Sequence, residues 1–318
     1  MDELQPPSSP SGGPTGVVAV ITALNPPADL PRRAESLRAQ VDHVIVVDDG
    51  SGPDASEVFF ELRRIGVEVL HHEANSGIAA ALNTGVRAAL ALGAAAVLTL
   101  DQDSTLESGY VEKCLDSLRT ASAAGRPVGF VCAHRMNGVD VPAQRGQNGI
   151  EPYDPMQSGM LIPVPTFHRV GLFEEGLFID AVDSEFTLRV RHAGLTVEFA
   201  EGTDLEHGLG EQTPKMLFGR TLTTHGGATA FFAAHSPLRL YYVTRNRLIT
   251  NARYARRYPS WVLHRVVDDM VFAGRNVVFG AAKWKSVKAI AYGLIDGIRC
   301  REGRATPRLT TKLTTRRD

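Results

Sequence analysis

Cysteine is scarce, with three residues in 318, Cys114, Cys132 and Cys300. They are odd in number, far apart and outside any metal-ligand spacing. That excludes a disulfide framework and points to a reducing compartment. No apolar run approaches the roughly 18 residues that a membrane-spanning helix needs. No N-terminal stretch has the charged, apolar, small-residue order of a signal peptide, so a cytoplasmic protein is expected, soluble or peripheral. The first apolar run leads into ITALNPPADL, which lacks the G-x-G-x-x-G turn of dinucleotide-dependent oxidoreductases. It also lacks the Gly-rich, Arg-containing phosphate loop of a nucleotidyltransferase. The chain contains no internal repeat.

The composition, 43% hydrophobic and 22% charged, fits one large α/β domain with an appendage. The net charge of −1 hides a division at Ser236. From Pro237 onward 18 Lys and Arg stand against 5 Asp and Glu, a balance of +13, so residues 1–236 carry −14. The basic part is a solvated helical face or has a partner, for which there are two readings. It rests on an anionic membrane surface, or its apolar stripe packs on the rest of the chain or on a second copy as a homodimer. Nucleic-acid binding would leave the carboxylates of the acidic half unexplained, so no nucleic-acid partner is expected.

Residues 1–16 are rich in Pro, Ser and Gly and read as a disordered tail. From Val17, β-branched runs alternate with helical periods: VVAVIT, a helix over about 28–40, HVIVVD, a helix over about 55–65, and VEVLH. An Ala-rich helix follows Asn75-Ser76-Gly77, and a strand then ends in Asp101. The alternation predicts a mainly parallel sheet. A helix over 107–123, the strand VGFVCA, a long loop over 136–155, a helix over 183–193 and the strand TVEFA complete residues 17–236. Residues 237–300 read as basic helices, and 301–318 as a basic flexible tail.

Ligands of an open parallel sheet bind beyond the carboxyl ends of its strands. Those ends are polar here: Thr22 to Asn25, Asp48 to Ser51, Asn75 to Gly77, and Asp101-Gln102-Asp103. Asp101 and Asp103 lie two residues apart and share a strand face, where they can meet on one hard cation. Asp48 and Asp49 can hydrogen-bond a base or ribose, or else form a helix-capping turn. A second acidic group, Asp180, Asp183 and Glu185, precedes Arg189; Asp183 fits either a general base or a helix cap. His207, just after TVEFA, can complete a metal site with Asp103 or be structural.

The motifs VITALN, VVDDGS, NSGIAAALNTG, LTLDQDS, SGMLI, FIDAVDSEFTLRVRHAG, LEHGLG and YYVTRNR occur in this order. Together they resemble glycosyltransferase family 2, the inverting enzymes of the GT-A nucleotide-sugar fold, over roughly 17–258. LDQDS, FID-x-VD-x-E and LEH-x-x-G are most similar to bacterial rhamnosyltransferases of O-antigen and polysaccharide assembly. The resemblance implies a GT-A domain over 17–236, a nucleotide-sugar donor with dTDP-rhamnose favoured, and Mg²⁺ or Mn²⁺ as cofactor. The acceptor it implies is a saccharide, free or linked to a polyprenyl diphosphate. A UDP- or GDP-linked hexose, or a catalytically silent binding protein, is the alternative.

Carried over by position, Thr22, Asn25, Asp48, Asp49, Asn75, Gly77, Asn83, Asp101 and Gln102 would hold the nucleotide-sugar. Asp101, Asp103 and His207 would hold the metal, and Asp183 would be the base. Asp180, Glu185, Ser158, Gly159 and Arg189 would serve the acceptor or support the site. The chain departs from some family members in having no basic residue at Asn75-Ser76-Gly77-Ile78, where backbone N–H groups at the helix start are expected to meet the diphosphate.

Overall fold

Val17–Ala23 forms β1, buried along its whole length. Its side chains alternate between two cores because a strand's period is two residues. Val17, Ala19 and Ile21 face one apolar cluster, and Val18 and Val20 face the other. The computed structural model describes residues 16–146, 149–208, 212–217, 220–223, 227, 229–280 and 282–314. All but Gly16 of the expected N-terminal tail lies outside them.

The chain continues through α1 (Leu30–Arg38), β2 (His43–Asp48), α2 (Ser56–Arg64), β3 (Glu68–His71), α3 (Ile78–Ala91) and β4 (Ala96–Asp101). These strands pair in parallel, in the order β3, β2, β1, β4. Then come β5 (Ser104–Leu106), α4 (Tyr110–Ala123), β6 (Val128–Met136), β7 (Val139–Asp140), β8 (Ala143–Gly146) and β9 (Gly149–Pro152). They are followed by β10 (Met160–Pro163), α5 (Val164–Val170), α6 (Val182–His192) and β11 (Thr196–His207). The sheet has nine strands: β10, β6, β11 and β5 extend it beyond β4, and β7 pairs with β6. It is mostly parallel, with β10 antiparallel to β4 and β5 antiparallel to β11. Helices α1, α2 and α4 cover one face, while α3, α5 and α6 cover the other.

Short strands β12 (Gln212–Pro214), β13 (Met216–Leu217), β14 (Arg220–Thr221) and β15 (Phe231–Ala233) form two small ribbons. Helices α7 (Pro237–Tyr254), α8 (Pro259–Phe279), α9 (Lys283–Ile298) and α10 (Pro307–Thr314) follow. Ser236 caps α7 by accepting the Arg239 N–H. No helix of the described residues is long and apolar enough to cross a membrane. Cys114 and Cys132 are free and buried, and burial pushes the Cys114 thiol up to about 12.

Three local readings differ from the structure. The expected loop over 136–155 carries β7 and the β8–β9 hairpin, whose mostly polar residues give no apolar alternation to read. The strand TVEFA runs on to His207 across an irregularity between Ala200 and Asp204; the polar sequence EGTDLEH concealed it. The expected mobile tail holds α10, and Ala305 and Leu313 are buried against the neighbouring helices. Residues 315–318 lie outside the described residues.

Helix α3 sits so close to the sheet that a Cβ on Gly85 would come within 2.2 Å of Val20 Cγ1. In an open helix, Gly→Ala stabilises by about 1 kcal/mol. Here overpacking reverses the sign, and Gly85→Ala is expected to cost about 1–3 kcal/mol in denaturant unfolding. A more stable variant would show that this helix is loosely seated.

Candidate functional site

The carboxyl ends of β1, β2 and β4 open onto a crevice of about 390 Å³, closed on its far side by the start of α6 and by α7. Strand β4 stops at Asp101, and the chain turns through Gln102 and Asp103 into β5. Asp101 and Asp103 therefore meet through a turn, not through strand alternation as the spacing suggested. β5 pairs with the end of β11 so that Ser104 stands opposite His207. This register delivers the imidazole: His207 Nδ1 lies 3.4 Å from Asp103 Oδ1 and 3.0 Å from Ser104 Oγ.

Asp101, Asp103 and His207 each offer one ligand atom, all within 4.8 Å of one another. Two carboxylate oxygens and an imidazole nitrogen form a donor set that can hold a divalent cation. Gly208 lies against Asp103, where a Cβ would come within 2.5 Å of its Oδ2. Burial, the Asp103 carboxylate and the Asp183 carboxylate push Asp101 up to about 7, against a hydrogen bond from Gln157 Nε2 at 2.5 Å. A cation seated among these carboxylates would relieve the repulsion between them.

Asp183 lines the same crevice from the first turn of α6. Ala181 occupies the N-cap position, and Asp183 Oδ1 accepts from its neighbour Ser184 N at 2.8 Å, so the carboxylate is not the helix cap. Burial first, then Asp154, push Asp183 up to about 6, while Arg247 and the Ser184 N–H pull the other way. Behind it, Asp154 Oδ2 accepts from Ser184 Oγ at 2.9 Å and from Arg265 at 2.9 Å, and Arg247 also bonds Ser184 Oγ.

The loop before α6 is conformationally costly. Phe178, Asp180 and Ala181 all have positive φ, at 66°, 63° and 64°. Such conformations cost about 1–3 kcal/mol each for side-chain-bearing residues. Asn246 of α7 holds this loop, its Nδ2 donating to the carbonyls of Leu177, Ile179 and Asp180 at 2.7, 2.6 and 3.1 Å. The loop presses on the start of α3, where a Cβ at Gly77 (φ 96°) would lie 2.4 Å from the Phe178 carbonyl oxygen. Only glycine fits there.

Thr22, Asp49, Asn75, Gly77, Asp101, Gln102, Asp103, Asp180, Asp183 and His207 all line the crevice. The other residues expected at the site stand behind it or elsewhere. Asp48 accepts the Ser51 N–H and pairs with His71, which makes it the turn residue of the Asp48–Asp49 pair. Asn25 accepts from Gly52 N. Asn83 ties α3 to Phe173 and Glu175. Ser158 Oγ accepts the Asp101 N–H, and Gly159 accepts from the Tyr110 hydroxyl, so both brace the end of β4 from beneath. Glu185 is buried in ion pairs with Arg189 and Arg253 and accepts from the Tyr254 hydroxyl. Facing acceptor is thus not its role, and Arg189 shares that structural pair.

Asp49 accepts the N–H groups of both Ser76 and Gly77, which spends two donors expected to face a diphosphate. The crevice obtains its guanidinium from Arg239 of α7, paired with Asp180 at 3.1 Å. Sequence reading missed Arg239, which lies far along the chain in the basic region. It also missed Gln157, although that residue directly precedes SGMLI.

Residues 18–169 match the family described as Glycosyl transferase family 2. The chain is 27% identical over 300 residues to the dTDP-rhamnosyl transferase RfbF of Shigella flexneri, covering 90% of this chain and 96% of that protein. It is similar in fold to S. aureus TarS, with a TM-score of 0.53 and 16% identity over 93% of this chain. It is also similar to GalNAc-T7, solved with UDP, GalNAc and Mn²⁺, with a TM-score of 0.51 and 12% identity over 89% of this chain. The chain spans about half the length of these two solved structures, 50% and 56%. With the GT-A architecture, the crevice beyond the strand ends and these likenesses in hand, residues 18–169 are those of a glycosyl transferase family 2 domain, and the chain is a glycosyltransferase.

Proposed function

We propose that the protein is an inverting rhamnosyltransferase that moves rhamnose from dTDP-rhamnose to a hydroxyl of a saccharide acceptor, free or carried on a polyprenyl diphosphate. The observation that carries the reading is one crevice holding both the Asp101, Asp103 and His207 group and the half-buried Asp183. The likeness to a dTDP-rhamnosyl transferase supports the choice of donor. In this reading the enzyme works in the cytoplasm.

Thr22, Asn75 and Gln102 line the nucleotide end of the crevice, and Asp49 fixes the turn before α3 that shapes it. Asp101, Asp103 and His207 would hold Mg²⁺ or Mn²⁺, which when bound offsets the charge of the departing diphosphate. Arg239 brings a second positive charge to the leaving group. Asp183 takes the proton from the acceptor hydroxyl as that oxygen attacks the anomeric carbon, and the single displacement inverts configuration. Gln157 Oε1 and Asp180 Oδ2 are buried without a hydrogen-bond partner among the described residues.

The donor is tested by thermal shift with dTDP-rhamnose, UDP-hexoses and GDP-mannose, with and without each cation. dTDP-rhamnose is expected to raise Tm only when metal is present. Asp103→Ala and His207→Ala should abolish that increment; an undiminished shift in both variants sinks the metal assignment. Asp183→Asn is expected to lower transfer by about 10²–10⁴-fold with donor binding retained. Because the native state holds a proton on Asp183 up to about pH 6 that the unfolded chain has already released, this group's contribution to stability declines as pH rises. Asp183→Asn should therefore match or exceed the wild-type Tm at pH 8. Wild-type transfer should fall as pH drops below about 6, where the base becomes protonated. A flat acid limb would remove Asp183 from that role.

A further inference from the structure

Helix α9 is inverted relative to an ordinary surface helix. Its inner face is made of small residues, Ser286, Ala289, Gly293 and Gly297, all buried. These let it approach α7 so closely that a Cβ on Gly293 would lie 2.8 Å from both Thr244 Cβ and the Tyr241 carbonyl oxygen. No large side chain fits inward, and the large apolar residues point out instead. Trp284 is 81% exposed and Ile298 75%, with Val287, Leu294 and Ile295 between them on the same face. Neighbouring α8 adds Leu263, Val266, Val267, Met270, Val271 and Val278, all exposed. Contiguous apolar surface of this kind marks an interaction site.

The charges around this face select its occupant. At about 3.6 residues per turn, Lys283 falls on one side of the α9 stripe, and Lys288 and Arg299 on the other. All three are exposed, and none makes an ion pair among the described residues. The acids nearby are already paired, Asp268 and Asp269 with Arg265 and Asp296 with Arg301. Where α9 ends, the surface falls into a recess of about 730 Å³ lined by Arg299, Arg301, Arg304, Arg308 and Lys312, together with Asp296 and Glu302, which are paired with Arg301 and Arg253. An apolar stripe with a basic rim supplies the two signals that hold a protein stably on an anionic bilayer. A second copy seated on this face about a twofold axis would bring the basic rims toward one another.

We infer that the outer face of α8 and α9 docks on an anionic phospholipid surface, with Trp284 and Ile298 in the interface and the arginine-walled recess receiving headgroup phosphate. The face stands beside the crevice: directly after α9, Gly303 N donates to the Gly176 carbonyl and Arg304 to the Asn75 carbonyl, and Asn75 lines the crevice. This inference goes beyond the transferase reading and does not depend on the sugar donated.

The test is vesicle flotation of the full chain, with phosphatidylcholine alone and with phosphatidylcholine mixed with phosphatidylglycerol. Wild type is expected to float with the anionic vesicles only and to be released by high salt. The double variant Lys288→Glu, Arg299→Glu should lower partitioning at least about tenfold. Trp284→Ser with Ile298→Ser should do likewise, both with unchanged melting because the residues are exposed. Absence of flotation, equal flotation with neutral vesicles, or variants that float like wild type would overturn the inference. So would a dimer in sedimentation equilibrium that the Trp284, Ile298 variant dissociates. The assay uses neither donor nor acceptor, so its failure leaves the transferase reading untouched.

Discussion

The amide of Asn246 sharing its N–H groups among three carbonyls of one short loop is the contact on which the site geometry rests. Three residues of that loop occupy positive-φ conformations that the local sequence would not adopt unaided. Hydrogen bonds to a buried amide, together with Arg245 donating to the Leu177 carbonyl, offset that cost. The stacking of Phe178 on Tyr242, with ring centroids 5.1 Å apart, adds to the same clamp. Once the loop is fixed, Asp180 and Asp183 have a defined place and Gly77 has its ceiling.

Behind Asp183 the polar groups form a connected set rather than isolated pairs. Asp154, Ser184, Arg247, Arg265 and Asp269 link the segment before β10 to α6, α7 and α8. Buried charges are tolerated only when paired and hydrogen-bonded. The acid behind the crevice carboxylate raises its proton affinity and the guanidinium lowers it. Helix α7 of the basic region, through Arg247, therefore bears directly on the protonation of a residue in the acidic region. The charge division of the sequence marks two parts that meet at the crevice.

Much of this was legible in advance, for physical reasons. The β-branched runs and Ala-rich periods announce β1 to β4 and α1 to α3, because burial on both faces leaves strands little choice but continuous apolar sequence. The polar strand ends followed directly, and Thr22, Asp49, Asp101 and Asp103 are where that logic puts them. The route by which Asp103 and His207 meet was hidden, since it depends on the β5–β11 register, set by polar residues without periodicity. Glu185 looked like a site acid because it shares a short segment with Asp183. Two residues are about half a helical turn, which puts the side chains on opposite faces, and Glu185 turns instead to Arg189, Arg253 and Tyr254. Arg239 was invisible because only the packing of α7 brings it to the crevice.

The clamp on the loop before α6 also sets an order of events. Ribosomal synthesis delivers Asp183 well before Asn246, so the nascent chain holds its crevice acids on a loop whose strained backbone nothing yet secures. The half of the crevice built on β1, β2 and β4 can be complete while the half built on the loop before α6 is still unshaped. The far wall of the crevice takes shape only as α7 docks, so a pocket begun near one end of the chain is closed by elements near the other.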